Sequence, residues 1–273
     1  MPPAGREHQS CLGKGSPGIT GLPPYPMNPY VAEMVGTALL ILLGNGVVAN
    51  VVLVQTKGNN SGWLVITVGW AMAVMVGAYS AAPFSGAHLN PAITLSLASI
   101  GLFPWAQVPG YVAAQAAGAV IGAVAVYLAY LPHWSLTPDG PSKLACFSTA
   151  PAVRRPAANF MAEFIGTFVL VFAVLAVPSS RNMVIGSGPG VIAAGFFGIY
   201  LVALIVLAVG LSLGGTTGYA INPARDLGPR IAHALLPIPG KGDSDWGYAW
   251  IPVAAPCCGG VAAALAYRAL LNT

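Results

Sequence analysis

Two short polar stretches interrupt an otherwise apolar chain and carry side chains that could hydrogen-bond to a small molecule. The first ends in Asn90-Pro91-Ala92, and Asn222-Pro223-Ala224 follows 132 residues later (222 − 90). Asparagine is a favourable helix N-cap because its side-chain oxygen accepts from the first backbone N–H groups. Proline suits the next position, where no backbone N–H is needed. Each stretch therefore predicts a loop that leads directly into a capped helix.

The composition of the chain predicts a polytopic membrane protein. Of its 273 residues, 56% are hydrophobic and only 7% are charged, whereas soluble domains carry about 25% charged residues. The 11 basic residues form no run or patch, which excludes nucleic acid as a partner and leaves membrane lipid as the expected environment. The four cysteines show no metal-ligand spacing, so we expect neither a metal nor a cofactor.

Apolar segments alternate with polar breaks along the chain. Residues 1–27 are rich in proline and glycine and predict a disordered tail, whereas residues 28–271 predict one membrane domain. A spanning helix needs about 20 residues, so the helix expected at 92–100 is only a half-span, and a second half-span is expected from Asn222 to about residue 236. Full spans are expected at about 30–54, 63–82, 105–131, 157–177, 191–213 and 248–271.

The chain contains an internal repeat. The stretch Ala32-Glu33-Met34-Val35-Gly36-Thr37 matches Ala162-Glu163-Phe164-Ile165-Gly166-Thr167 at an offset of 130 (163 − 33). We place repeat one at about 28–131 and repeat two at about 156–271. Three spans and a half-span per repeat make an odd number of crossings, so the repeats must lie inverted in the membrane. The two half-helices can then meet, N-terminus to N-terminus, at the membrane midplane.

The two loops before the asparagines are predicted to line a pore. Irregular backbone at membrane depth is tolerated only where it is buried or faces a watery cavity. We expect Asn90 and Asn222 to donate into this pore, and the two helix N-termini, each equivalent to roughly +0.5 charge, to oppose cations and protons. The loop carbonyls expected to line it belong to Gly86, Ala87, His88, Leu89, Gly218, Ala220 and Ile221.

Few ionisable residues fall within the apolar segments. Charge there is costly and by default functional, so Arg225 is interpreted as a donor that faces the pore mouth, whereas a snorkelling position at the interface fits Arg230 better. Glu33 and Glu163 occupy equivalent repeat positions and are expected to accept backbone N–H groups from the loops, with a proton relay as the alternative. His88 is expected to be a pore-lining hydrogen-bonding residue rather than a metal ligand, because no second ligand is near it in sequence.

These residues resemble the aquaporin, or major intrinsic protein, family over about 28–271. The resemblance rests on the two Asn-Pro-Ala boxes, the paired Ala-Glu-x-x-Gly-Thr starts and the complete stretch Ser85–Ala92. It implies an all-α membrane protein with six transmembrane helices and two re-entrant half-helices in an inverted repeat, and a pore in each monomer of a homotetramer. It also implies a multi-pass channel, not an enzyme, in the plasma membrane with cytoplasmic termini. The Lys and Arg residues of the loops do not support that orientation.

Within this family the chain resembles the glycerol facilitator branch. Asp226 and Arg230 follow the second box, where water-selective members usually carry a small residue in place of the aspartate. Pro252-Val253 stands where the water branch tends to have two aromatic residues. The narrowest ring of the family falls, by spacing from the boxes, on Trp70, Gly210, Tyr219 and Arg225.

The resemblance implies a role for each member of that ring. Trp70 and Tyr219 form an apolar corner for a carbon backbone, Arg225 donates to hydroxyl groups, and Gly210 leaves room where the water branch has histidine. Tyr219 departs from the phenylalanine of the best-known glycerol channels, which leaves the ratio of glycerol to water flux open. The prediction is a passive channel for glycerol and other small uncharged solutes, and for water, that excludes ions and protons. Alternatives are a water-selective channel, a secondary transporter or a closed-pore junction protein.

Overall fold

The computed structural model describes residues 27–177 and 194–271, whose regular secondary structure is helical with no β-strand. The tail expected at 1–27, apart from Met27, and the first residues of the span expected at 191–213 lie outside the described residues. The helices are α1 Pro29–Val52, α2 Trp63–Ser85, α3 Pro91–Ser99, α4 Val108–Ala129, α5 Leu131–Leu136, α6 Gly140–Ala145, α7 Pro156–Ala176, α8 Ala194–Leu213, α9 Pro223–Leu235 and α10 Ile251–Leu271.

Six of these helices are long and apolar. Five of the described helices, namely α1, α2, α4 with its preceding turn, α7 and α10, have the length and hydropathy needed to cross a bilayer. α8 has 20 residues, which corresponds to about 30 Å at 1.5 Å per residue. α2 continues to Ser85, past its expected end at residue 82, and stops where Gly86 adopts a φ of 82°. Glycine takes this left-handed conformation without the steric penalty of a side chain.

The two helices that follow the asparagines are too short to cross a bilayer. α3 has 9 residues and α9 has 13, lengths of about 14 and 20 Å. Each begins with proline at its first position, directly after an asparagine N-cap. The local sequence thus starts both helices at the residue that the capping pattern predicts.

Equivalent glycines bring each loop close to the first helix of its own half. A Cβ on Gly36 of α1 would lie 2.7 Å from a methyl group of Leu89, and a Cβ on Gly166 of α7 would lie 3.2 Å from a methyl group of Ile221. Leu89 and Ile221 directly precede the two asparagines. α1 therefore packs against the first loop as α7 packs against the second.

Glycines also set the approach of α4 to α1 and of α10 to α7. Cβ atoms on Gly118 and Gly259 would overlap the backbone carbonyls of Met34 and Phe164. These two carbonyls are 130 residues apart (164 − 34), the same offset as the repeated glutamates. Close backbone contact of this kind is the usual effect of small residues between membrane helices.

The segment between α4 and α7 is more ordered than the polar connection expected there. It contains the short helices α5 and α6, and it buries the side chains of Trp134 and Phe147 completely or nearly so. Asp139 caps α6 by accepting from the Ser142 N–H at 2.9 Å. Hydrogen bonds from the Ser142 side chain and backbone lower the pKa of the Asp139 carboxyl. The segment packs apolar side chains against the bundle. The pattern of apolar segments and polar breaks in the sequence did not predict this packing.

Candidate functional site

The N-termini of α3 and α9 lie side by side and are linked crosswise by their capping asparagines. Asn90 Oδ1 accepts from the Ala92 N–H at 2.8 Å, while its Nδ2 donates to the Ile221 carbonyl at 2.9 Å. Asn222 Oδ1 accepts from the Ala224 N–H at 3.0 Å, while its Nδ2 donates to the Leu89 carbonyl at 2.8 Å. Each asparagine thus caps its own helix and binds the loop of the other half.

Both loops use left-handed backbone at matching places. In the first loop Gly86, Ala87 and Leu89 have φ values of 82°, 52° and 50°. In the second, φ is 82°, 38° and 42° at Gly218, Tyr219 and Ile221. Non-glycine residues in this region are strained and persist where the surroundings over-determine them. Such alternation turns successive carbonyl groups to directions that helix or strand would not allow.

A buried glutamate anchors each loop. Glu33 accepts from the N–H groups of His88 at 2.9 Å and Leu89 at 2.7 Å, and from the side chains of Ser85 and Gln115, both at 2.7 Å. These donors satisfy both carboxylate oxygens of Glu33, a residue that is 0% exposed.

Glu163 has the equivalent place in the second half. It accepts from the N–H groups of Ala220 and Ile221, both at 2.9 Å. Backbone N–H groups of a non-helical segment need such partners when no water reaches them. The two acids together therefore satisfy four backbone N–H groups, two in each loop.

A cavity of about 80 Å³, here called the inner cavity, runs along the two loops. Apolar residues of α1, α2, α7 and α8 complete its wall. Five of the seven loop residues expected to face a pore line this cavity, whereas Gly86 and Gly218 do not. Its lining includes Ala87, His88, Leu89, Asn90, Tyr219, Ala220, Ile221, Asn222, Arg225 and Trp70.

His88 lines the inner cavity, and two aromatic rings pack against its imidazole. Its Nδ1 is 3.1 Å from Thr94 Oγ1, and its ring packs on Phe103 and Tyr111 with centroids 4.7 and 5.0 Å away. In the part of the chain that the structure describes, no group of three His, Cys, Asp or Glu side chains is placed to hold a metal ion.

A second, more open cavity of about 330 Å³, here called the vestibule, adjoins the first. It is bordered by Ala145 and residues 148–152 and by the loop after α8, including Gly214, Gly215 and Gly218. Trp70, Tyr219 and Arg225 line both cavities. Three of the four predicted ring residues therefore stand at the boundary between them.

Arg225 is the polar centre of this boundary. The guanidinium carbon lies 4.0 Å from the centroid of the Trp70 ring, within the range of a cation–π contact. Its Nη1 donates to the Phe147 carbonyl at 3.2 Å and to Asn45 Oδ1 at 3.4 Å. Its Nε and Nη2 have no hydrogen-bond partner among the described residues.

Gly210, the fourth predicted ring residue, borders neither cavity. A Cβ there would lie 2.8 Å from Tyr219 Cζ, so the tyrosine ring occupies the space that the missing side chain leaves. The Trp63 indole donates to the Gly210 carbonyl at 3.2 Å and meets the Tyr219 ring edge-on at 5.8 Å. Gly210 thus makes room for the Tyr219 ring, and it is Tyr219 that lines the two cavities.

The interpretation of Arg230 as a snorkelling residue is wrong. Its side chain is 0% exposed and forms a buried ion pair with Asp226 at 2.7 Å. The guanidinium also donates to the carbonyls of Thr149 at 2.8 Å and Ser244 at 2.7 Å. Asp226 in turn accepts from the Thr149 N–H at 2.7 Å. Sequence position alone could not show that two distant connections supply these partners.

Three residues that touch the site were not predicted from the sequence: Asn45, Gln115 and Phe147. Asn45 and Gln115 are polar side chains within apolar helices, a signal that could have marked them. Phe147 contributes only its backbone carbonyl, for which the sequence carries no signal.

Two capped half-helices joined inside an all-helical apolar bundle define a membrane channel of the aquaporin type. The chain belongs to the major intrinsic protein family, because the sequence model of that family matches residues 25–267. This match confirms the resemblance, and the predicted fold class is confirmed by the all-helical structure together with a solved aquaglyceroporin structure.

Relatives with known names agree with this assignment. The chain is 55% identical over 242 residues to a probable glycerol uptake facilitator protein of Thermotoga maritima, covering 89% of this chain and 99% of that protein. It is 51% identical over 243 residues to the glycerol uptake facilitator protein of Bacillus subtilis, covering 89% and 85%. The solved aquaglyceroporin structure from Plasmodium falciparum superposes with a TM-score of 0.77 at 31% identity, covering 89% and 96%.

Proposed function

We propose that this chain is a passive membrane channel for glycerol and other small uncharged solutes, and for water, that excludes ions and protons. The observation that carries the proposal is the boundary between the vestibule and the inner cavity. Two aromatic side chains and one guanidinium, from Trp70, Tyr219 and Arg225, line both cavities there. The names of the relatives support glycerol as the solute.

The chemistry of this boundary suits a polyol. Glycerol has a C–H edge and a hydroxyl edge; the faces of Trp70 and Tyr219 suit the first, and the guanidinium of Arg225 suits the second. Further along, each primary amide of Asn90 and Asn222 has two N–H groups, of which the crosswise bonds use one. The second can donate to a passing oxygen. The adjacent helix N-termini oppose cations.

The remaining predicted residues take supporting roles in this proposal. Glu33 and Glu163 hold the loops, and the pair of Asp226 and Arg230 holds α9. The chain is not an enzyme and needs no cofactor, metal or nucleic acid. We further propose a homotetramer in the plasma membrane, with membrane lipid around it, both termini in the cytoplasm, and residues 28–271 as the channel domain.

The proposal is tested by stopped-flow light scattering on proteoliposomes. Under a sucrose gradient the vesicles should shrink quickly, and under a glycerol gradient they should shrink and then re-swell quickly. Fast shrinkage without fast glycerol re-entry would establish the water-selective alternative instead. Liposomes that contain the double variant Asn90→Asp/Asn222→Asp, which converts the donating amides to carboxylates, serve as the control and should lose glycerol re-entry.

A further inference from the structure

Asn45 is a buried amide in the middle of an apolar membrane helix. It lies on α1, flanked by Gly44 and Gly46, and is 0% exposed. An amide removed from water costs free energy unless it is hydrogen-bonded. Polar groups within membrane segments therefore mark sites that need them.

Both hydrogen bonds of Asn45 lead to the solute boundary. Its Nδ2 donates to the Phe147 carbonyl at 3.1 Å, and its Oδ1 accepts from Arg225 Nη1 at 3.4 Å. Arg225 Nη1 also donates to the same Phe147 carbonyl, at 3.2 Å. The three groups close a triangle of donors and acceptors around one nitrogen of the guanidinium.

The orientation of the Asn45 amide is fixed by chemistry. If the amide were flipped, its oxygen would face the Phe147 carbonyl and its NH₂ would face the Arg225 NH₂, and neither pair can hydrogen-bond. In the observed orientation every contact pairs a donor with an acceptor. The triangle therefore has one arrangement, and it holds Nη1 in one place.

The residue beside Asn45 supports the same guanidinium from its aromatic side. A Cβ on Gly44 would overlap the Trp70 ring, so the ring packs directly on α1 only because this residue is glycine. The Arg225 guanidinium in turn stacks on Trp70 at 4.0 Å. Asn45 thus holds one edge of the Arg225 guanidinium directly, and Gly44 supports its face through the Trp70 ring.

Neither Gly44 nor Asn45 lines the inner cavity or the vestibule. They can influence a solute only through Arg225 and Trp70. With Nη1 held by Asn45 and Phe147, the donors of Arg225 left for a solute are Nε and Nη2, which have no partner in residues 27–177 and 194–271. The number and direction of the donors that the boundary presents thus follow from how Nη1 is held.

We propose that Asn45 is a positioning residue that sets the orientation of the Arg225 guanidinium and thereby the size selectivity of the channel. This inference rests on the proposed channel function. Release of Nη1 frees the guanidinium to rotate off Trp70, which widens the boundary and disperses its donors. Larger polyols should then pass more easily relative to glycerol.

The test is a double-mutant cycle with Asn45→Leu and Arg225→Ala, read as the ratio of glycerol to erythritol permeability in proteoliposomes. Each single variant should lower the ratio. In the Arg225→Ala background, Asn45→Leu should have no further effect, so that the double variant departs about threefold or more from the product of the single effects, because residues that act through one contact are coupled. Asn45→Asp, which keeps the acceptor for Nη1, should lie closer to the unaltered channel than Asn45→Leu.

The matched control is Asn159→Leu. Asn159 is also buried, but its side chain binds only backbone, at the Val153 carbonyl and the Arg155 N–H. This variant should lower thermal stability and leave the solute ratio unchanged. If Asn45→Leu does not reach the membrane, Asn45→Ser replaces it in the cycle.

Two results would overturn the role of Asn45: independent effects in the cycle, or a change confined to thermal stability as in the control. An unaltered protein that conducts no glycerol would instead overturn the proposed function. In that case the cycle, read in osmotic water permeability, still decides whether Asn45 acts through Arg225.

Discussion

Tyr219 reaches the solute boundary because a neighbouring residue has no side chain. Its ring rests against the backbone of Gly210, and its Cζ would lie 2.8 Å from a Cβ added there. The Trp63 ring packs against the tyrosine ring at nearly a right angle, with the ring centroids 5.8 Å apart. The width of the boundary at Tyr219 is therefore set from α8, by a residue that itself borders neither cavity.

Gly210→Ala should narrow the channel. The added methyl group must displace the Tyr219 ring, and α8 blocks one direction, so the ring moves toward the cavities; such overpacking costs about 1–3 kcal/mol. Glycerol permeability in proteoliposomes should fall several-fold, and water permeability should fall less. The control is Gly46→Ala, because a Cβ on Gly46 meets no atom within 4 Å. An unchanged ratio of glycerol to water permeability in Gly210→Ala would contradict this role of the glycine.

The sequence predicts functional residues whose signature is local. It does not predict those whose hydrogen-bond partners lie far away along the chain. Asn90 and Asn222 could be predicted as N-caps because capping involves neighbours only two and three positions ahead. The bond from Asn45 to Arg225 joins residues 180 apart. Arg230 was misread for the same reason, since its burial depends on partners at Thr149 and Ser244.

At the scale of elements, the two loops keep a strained backbone because each is bonded to a buried acid. Loop residues such as Leu89 and Ile221 have positive φ values of 50° and 42°, and their N–H groups both donate to a glutamate. The carbonyls of the same two residues accept from the facing asparagines. Each loop is thus fixed on both sides of its backbone.

Glu33→Gln should loosen the first loop. The amide replaces one acceptor oxygen by a donor, which leaves a buried N–H or hydroxyl without a partner at a cost of about 1–3 kcal/mol. Thermal unfolding in detergent should shift to lower temperature, and glycerol permeability should fall. Glu163→Gln should act in the same direction through the second loop.

Asp139→Asn is the matched control for the glutamate variants. This acid is exposed, and asparagine is an equally good N-cap for α6, so stability should change by less than about 0.5 kcal/mol. Glutamine variants as stable and as permeable as Asp139→Asn would show that the acids do not hold the loops.

The long helices could be predicted from the length of the apolar segments. The exact helix ends and the short helices could not. The six long helices agree with the expected spans to within a few residues. The end of α2 depends on the left-handed conformation of Gly86 rather than on hydropathy. α5 and α6 have only six residues each, and a segment of that length forms a helix because of its tertiary contacts, not because of its own propensity.

At the scale of the whole molecule, a buried ion pair within α9 connects this helix, through further hydrogen bonds of its two members, to the rest of the protein. Asp226 and Arg230 are both 0% exposed and bond to Thr149 before α7 and to Ser244 before α10. The half-helix that carries Asn222 and Arg225 is therefore tied to both connections at this end of the bundle.

Asp226→Ala should destabilise the whole protein. It leaves Arg230 charged and unpaired in the interior, which costs about 3–5 kcal/mol, and the apparent Tm in detergent should fall by many degrees. The control Arg154→Ala breaks a pair whose side chains are 54% and 21% exposed, which costs about 0–1 kcal/mol. Equal shifts in Tm for the two variants would contradict the larger contribution to stability that is expected from the buried pair. The double variant Asp226→Leu/Arg230→Met should be more stable than Asp226→Ala.

The central claim, passive conduction of glycerol through a preformed path, is tested most directly by uptake of labelled glycerol into proteoliposomes over a wide concentration range. A channel predicts an initial rate that rises in proportion to glycerol concentration and does not respond to a proton gradient of either direction. Liposomes without protein set the background rate. Saturation of the rate, or dependence on the proton gradient, would contradict the account and point to a transporter that changes conformation in each cycle.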